Sequence, residues 1–222
     1  MAIAILERTG STTAAERQAE DTYLEIYRSR GRVHPNHTTI YHQGDTVSGF
    51  FRVNSGVIMV YRLLQNSQRQ ISGFYTEGDF FGLSSDDSYH DSAVTVATSN
   101  IVALTMNDVR HSLSLQKELF AITCSQLESA QNLITTLTKK TASEKVATFL
   151  LMLAQRQHRS GNSFDIRLPM SRLDIADYLG MTIETVSRRL TAFKAQGIIA
   201  LPDRNTARVF EYDRLKAMAG TA

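Results

Sequence analysis

With 222 residues, 42% of them hydrophobic, 21% charged and only 3 prolines, the chain has the composition of a globular protein with two cores, since one core serves about 100–200 residues. No run of about 20 apolar residues occurs, so no membrane-spanning helix and no membrane partner are expected. The single cysteine, Cys124, excludes an internal disulfide and cannot alone supply a zinc or iron–sulfur site.

The net charge of +2 is unevenly placed: from Thr141 onward 12 Lys+Arg face 8 Asp+Glu, leaving 12 and 14 for residues 1–140. A modestly basic C-terminal module suits phosphate neutralisation. The opening MAIAILERTGSTTAAERQAED has a short apolar patch without the basic lead and long apolar core of a secretory signal, so a cytoplasmic protein is expected.

In chain order, residues 1–30 read as a polar extension with a helix near Ala14–Ser29. Residues 31–110 change to strand periodicity, with β-rich runs at Thr38–His42, Gly49–Val53, Gly56–Leu63, Gln70–Tyr75 and Ala93–Thr98. Turns at Gln43-Gly44-Asp45, Asn54-Ser55-Gly56 and Glu77-Gly78-Asp79 separate them, the signature of a sandwich or barrel. Asn107 is the expected cap of a short helix. Leu115–Lys140 then reads as a long helix free of Gly and Pro, so residues 111–140 are assigned to dimerisation. Leu119, Ile122, Leu127, Ile134 and Leu137 are its expected interface residues.

Residues 141–222 form the last module. It begins with a helix over Ser143–Arg159, a loop at His158–Asn162 and a short strand at Phe164–Leu168. Ser171–Gly197 reads as two helices joined by a tight turn. Ser171 caps the first with Asp174 three residues on, Gly180 closes it in a left-handed conformation, and Thr182 caps the second. Ala176, Gly180 and Val186 have helix-turn-helix spacing: a small residue for close approach, a turn glycine, and a β-branched lock. Ile183, Val186, Leu190 and Phe193 are the expected buried stripe, with Glu184, Thr185, Ser187, Arg188 and Arg189 opposite. Such a helix fits the DNA major groove. Ile198–Leu201 and Ala207–Tyr212, joined by a turn at Pro202–Asn205, are the wing, followed by a helical turn at Asp213–Ala219.

The order β-roll, long helix, winged helix-turn-helix resembles the CRP/FNR family of bacterial transcription regulators. The phrases Tyr41-His-Gln-Gly-Asp45, Phe51-Arg-Val-Asn-Ser-Gly56, Glu77-Gly-Asp-Phe-Phe-Gly82 and Leu137-Thr-Lys-Lys-Thr-Ala-Ser-Glu-Lys-Val-Ala147 carry the likeness. Asp174-Ile-Ala-Asp-Tyr-Leu-Gly-Met-Thr-Ile-Glu-Thr-Val-Ser-Arg188 resembles the FNR branch and its FixK-type regulators of low-oxygen metabolism and nitrogen fixation. The implied fold is α+β: a jelly-roll-like sensor domain, a dimerisation helix and a winged helix-turn-helix.

The resemblance implies that Glu184, Ser187 and Arg188 read bases in double-stranded DNA. Arg can bridge guanine O6 and N7, and Glu can accept from cytosine N4. The implied target is a TTGAT-N4-ATCAA-like palindrome, bound by a homodimeric activator. Thr182, Arg189, Lys194 and Arg204 are phosphate-contact candidates. RNA polymerase is the implied protein partner, through loops near Leu64–Gln70 and Ser84–His90.

Departures from the family pattern bear on sensing. One cysteine cannot build the FNR cluster. Leu83 stands where cyclic-nucleotide members have a ribose-binding Glu, and Asp91 where they have a phosphate-binding Arg. A carboxylate repels a cyclic phosphate. No cofactor, metal or cyclic nucleotide is therefore expected. An unidentified small molecule near Gly78–Ala93, or a redox signal through Cys124, is the alternative control. A cupin-like enzyme is not expected, because His37 and His42 fall on opposite faces of one strand and no nucleophile–base set is visible.

Overall fold

A computed structural model of the chain describes residues 29–159, 161 and 163–220. The helix expected over Ala14–Ser29 lies outside the described residues save for its last position. The order is β1 (Arg32–His34), β2 (Thr39–Tyr41), β3 (Phe50–Ser55), β4 (Ile58–Leu63), β5 (Arg69–Tyr75), β6 (Phe80–Phe81), β7 (Ser92–Thr95) and β8 (Ser99–Leu104). Helices α1 (Met106–Arg110), α2 (Leu113–Lys139) and α3 (Ala142–Arg156) follow, then β9 (Phe164–Arg167), α4 (Arg172–Leu179), α5 (Ile183–Ala195), β10 (Ile199–Asp203), β11 (Thr206–Val209) and α6 (Tyr212–Met218).

Contacts divide the chain into two units. One holds the described residues up to Val60 with Phe74–Ser129, and the other holds Tyr61–Gly73 with Ala130 onward. This division runs through α2 and takes the tip of the β4–β5 hairpin into the second unit, whereas the sequence pattern places boundaries only between elements.

The β-rich part has two four-stranded sheets, ordered β1-β8-β3-β6 and β2-β7-β4-β5. Alternation along the strands sorts their side chains into two cores. Tyr41, Val53, Ile58, Val60, Phe81, Ala93 and Ile101 meet between the sheets. Phe50, Phe80, Val102 and Leu104 point the other way and pack with Val109 and Leu115. Neighbours such as Phe80 and Phe81 thus serve different cores.

Helix α1 is capped by Thr105, not Asn107. Asp108 Oδ2 accepts from the Thr105 N–H at 2.7 Å, and the Asp108 N–H donates to Thr105 Oγ1 at 3.3 Å, a reciprocal capping box. The start of α2 is held to the outer sheet face by the buried Arg52, whose NH2 lies 2.9 Å from Glu118 Oε1. Gln126 Nε2 adds a bond to the Phe80 carbonyl at 2.7 Å.

In the second unit α3, α4 and α5 surround a core of Val146, Phe149, Leu150, Ile175, Ala176, Leu179, Val186, Leu190 and Phe193. The wing is a three-stranded antiparallel sheet, β10-β11-β9. Its third strand, β9, pairs Ile166 with Ala207 across the chain. No helix among the described residues is long and apolar enough to cross a membrane.

Candidate nucleic-acid interface

The helix-turn-helix is built from local signals. Ser171 Oγ accepts from the Asp174 N–H at 3.1 Å, while Asp174 Oδ2 accepts from the Ser171 N–H at 2.8 Å. Gly180 ends α4 at φ 60°, ψ 48°, the left-handed region that glycine enters without strain. The Thr182 hydroxyl accepts from the Thr185 N–H at 3.3 Å and starts α5. Ala176 and Val186 are both buried at the turn, and the small side chain at 176 lets the two helices approach.

On α5, Val186, Leu190 and Phe193 are buried, while Glu184, Ser187 and Arg188 are exposed. Three- and four-residue spacing puts those three polar groups on one face. The Glu184 carboxyl is held below its ordinary range by hydrogen bonds from its own backbone N–H and from Thr182, and by the Arg188 charge. It therefore stays an acceptor near neutrality. Arg188 Nε donates to the Glu184 carbonyl at 3.4 Å, so its guanidinium lies along the same exposed face.

Three expectations for this helix change. Ile183 is 39% exposed and not part of the buried stripe, because it begins α5 beside the turn instead of facing α3. Thr185 is only half-exposed, its hydroxyl 3.1 Å from that of Thr182. Arg189 turns away from the open face: it is half-buried, its NH1 reaches Ser143 Oγ at 3.5 Å, and its Nε is buried without a hydrogen-bond partner. A guanidinium packed in this way is poorly placed for a phosphate. Thr182, Lys194 and Arg204 are exposed, Arg204 at the β10–β11 turn. Arg208 on the wing is forked to Asp165 at 2.7 and 3.0 Å.

The long helix distributes its apolar residues differently from the expected interface. Leu119 and Ile122 pack on the outer core of the β-roll and are spent within the subunit. The open row is Leu113, Phe120, Leu127 and Ile134, exposed by 59%, 61%, 60% and 61% at every seventh position. Leu137 is half-buried, and Leu113 and Phe120 are the residues of the open row absent from the expected set. The apolar residues of the helix were legible in the sequence, but which helix face the sheet would cover was not.

Aromatic rings stack inside the β-roll. Tyr41 stacks on Tyr89 at 3.9 Å and on Phe51 at 5.7 Å, and Phe51 stacks on Phe81 at 5.2 Å. A Cβ at Gly82 would come within 3.0 Å of the Phe51 ring and 3.2 Å of the Tyr41 ring. The Tyr41 hydroxyl donates to Asp91 Oδ1 at 3.4 Å. Burial, and then the Asp91 charge, raise the Tyr41 pKa, so the phenol keeps its proton as donor. Cys124 on α2 is half-exposed. His90 pairs with Asp86 at 2.6 Å, and His111 Nδ1 lies 2.8 Å from the Asn107 carbonyl.

Comparison with known proteins agrees with this architecture. Residues 144–218 match the Crp-like helix-turn-helix domain, and residues 32–114 the cyclic nucleotide-binding domain. The nitrogen fixation regulation protein FixK of Rhizobium meliloti is 36% identical over 181 residues, covering 81% of this chain and 82% of that protein. The transcriptional activator protein FnrA of Stutzerimonas stutzeri is 34% identical over 207 residues, covering 90% and 84%. The structure of FixK2 from Bradyrhizobium japonicum superposes with a TM-score of 0.77 at 31% identity, covering 86% of this chain and 98% of that one. These relatives are regulators, not enzymes. The chain belongs to the CRP/FNR family of DNA-binding transcription regulators and is of the FixK type.

Proposed function

We propose that the protein is an activator that binds, as a homodimer, a TTGAT-N4-ATCAA-like palindrome, without a cyclic-nucleotide or iron–sulfur effector. The observation that carries this reading is the exposed triplet Glu184, Ser187 and Arg188 on one face of α5, with the Glu184 carboxyl held ionised. Each half-site offers one G·C pair, where Arg can bridge guanine and Glu can accept from cytosine. Thr182, Lys194 and Arg204 are the phosphate contacts that orient the helix in the groove.

The row of Leu113, Phe120, Leu127 and Ile134 supports the homodimer. A seven-residue apolar repeat on a long helix is satisfied by a second copy of the same helix. Two half-sites about one helical turn apart then match a two-fold protein.

Effector independence draws support from the β-roll. Its interior is occupied by Tyr41, Phe51, Phe81 and Tyr89, and Asp91 is engaged by Tyr41. A cyclic phosphate at Asp91 would meet a carboxylate instead of a guanidinium. The chain's one cysteine cannot ligate a cluster alone. For RNA polymerase, the surface offered by the first loop is restricted to Leu64–Gln68, since Arg69 and Gln70 bond within the second unit. Ser84–His90 is the second loop.

The test is fluorescence anisotropy of the pure protein on the palindrome and on scrambled DNA. It is run with and without reductant, with no added ligand, at fixed salt. Preference for the palindrome in both conditions is expected. Sequence-blind binding would refute the reading.

A further inference from the structure

The tip of the β4–β5 hairpin carries an arginine whose guanidinium is committed to the first helix of the helix-turn-helix. Arg69 Nε donates to Asp177 Oδ2 at 2.7 Å, and its NH2 donates to Asp174 Oδ1 at 2.6 Å. Gln70 Nε2 adds a bond to the Asp177 carbonyl at 3.2 Å. The guanidinium lies 5.8 Å from the centroid of the Tyr61 ring. The Arg69, Asp174 and Asp177 side chains are 25%, 13% and 21% exposed. Partial burial weakens the screening that makes an ordinary surface ion pair nearly worthless.

Asp174 and Asp177 stand three apart on α4, a spacing at which like charges repel. They also belong to a module whose ligand is a polyanion. One cation held between them offsets both repulsions. A fork that spans two carboxylates fixes direction as well as distance. Asp174 is shared, its Oδ2 closing the capping box with Ser171 while its Oδ1 faces Arg69. Because α4 packs on α5, with Ala176 and Val186 both buried, setting α4 also sets the pose of Glu184, Ser187 and Arg188.

We propose that Arg69 is a positioning residue for DNA reading: from the β4–β5 hairpin it neutralises Asp174 and Asp177 and holds α4 in the orientation that presents α5. The inference rests on the palindrome-reading function above. It touches no DNA itself.

The test uses the full chain as wild type, Arg69→Met, Arg69→Lys, Asp177→Asn, the Arg69→Met/Asp177→Asn double variant and the swapped Arg69→Asp/Asp177→Arg pair. Asp177 is chosen over Asp174 because it has no capping duty. Without DNA, hydrogen exchange of the α4 amides is expected to quicken in Arg69→Met while the thermal midpoint of the β-roll stays put. With DNA, Arg69→Met is expected to weaken palindrome binding about tenfold. Scrambled DNA should lose less, and the base preference at the G·C pair should be unchanged. Adding Asp177→Asn to Arg69→Met should cost little more, Arg69→Lys should fall between, and the swapped pair should recover most of the affinity. Non-additivity and swap recovery are not outcomes of general misfolding. The proposal is overturned if the two single losses multiply in the double variant, if Arg69→Met binds as tightly as wild type or tighter, or if α4 exchange is unchanged. A wild type that does not prefer the palindrome refutes the proposed target instead, and the exchange arm still decides the role of Arg69.

Discussion

Replacing Arg188 by alanine removes the side chain expected to bridge guanine. The fold should survive: Arg188 is exposed and its Nε bonds only weakly, at 3.4 Å, to the Glu184 carbonyl one turn back. Alanine is also the best helix former. A bidentate arginine–guanine contact is worth about 1–3 kcal/mol. A dimer on a palindrome makes that contact twice, so the loss should be about 2–6 kcal/mol. At 1.36 kcal/mol per decade this is a weakening of roughly 30-fold to 3 × 10⁴-fold. The assay is competition anisotropy against duplexes carrying each base pair in turn at the G·C position, repeated over a salt series. Arg188→Ala should bind the substituted duplexes about equally, and the slope of log K against log salt should stay that of wild type. A uniform loss on every duplex, with a slope shallower by about one unit per contact removed, would show that Arg188 neutralises a phosphate instead.

Other outcomes follow from the same structure. Phe120→Asp with Ile134→Asp places carboxylates in the open row of α2, and sedimentation should shift from a dimer to a 24.8 kDa monomer with palindrome binding lost; an unchanged dimer would move the interface elsewhere. Phe193→Ala empties a fully buried site in the helix-turn-helix core and should cost about 3–5 kcal/mol in chemical unfolding of that module. The depressed Glu184 pKa means its carboxylate persists above the ordinary carboxylate range and is lost only as pH falls through the lowered value. Preference for the G·C pair should therefore be flat from about pH 6 to 8, and a fall across that interval would assign the cytosine contact to another group.

Local chemistry made much of the helix-turn-helix legible in the sequence. Ser171 with Asp174, Gly180 and Thr182 are separated by at most a few residues from the groups they bond, so their geometry follows from helix-end rules alone. The same holds for Glu184, Ser187 and Arg188, whose shared face is a consequence of helical periodicity. The strand runs were readable from their turns, but their partners were not: β9 meets β11 only after two helices and a strand intervene.

Periodicity identifies an apolar residue without saying what will cover it. On α2, Leu119 and Ile122 face the β-roll while Phe120, one position away, is left open, because the sheet can bury only one side of the helix. Arg189 looks equivalent to Arg188 in the sequence, yet Ser143 on another element draws it inward. The pairing of Arg69 with Asp174 and Asp177 spans separations of 105 and 108 residues, beyond the reach of any spacing rule. Residues 171–188 carry their own instructions for a helix-turn-helix because the bonds that cap and turn its helices are local. How that motif is charged and held depends on chain segments that meet only when the whole molecule has folded.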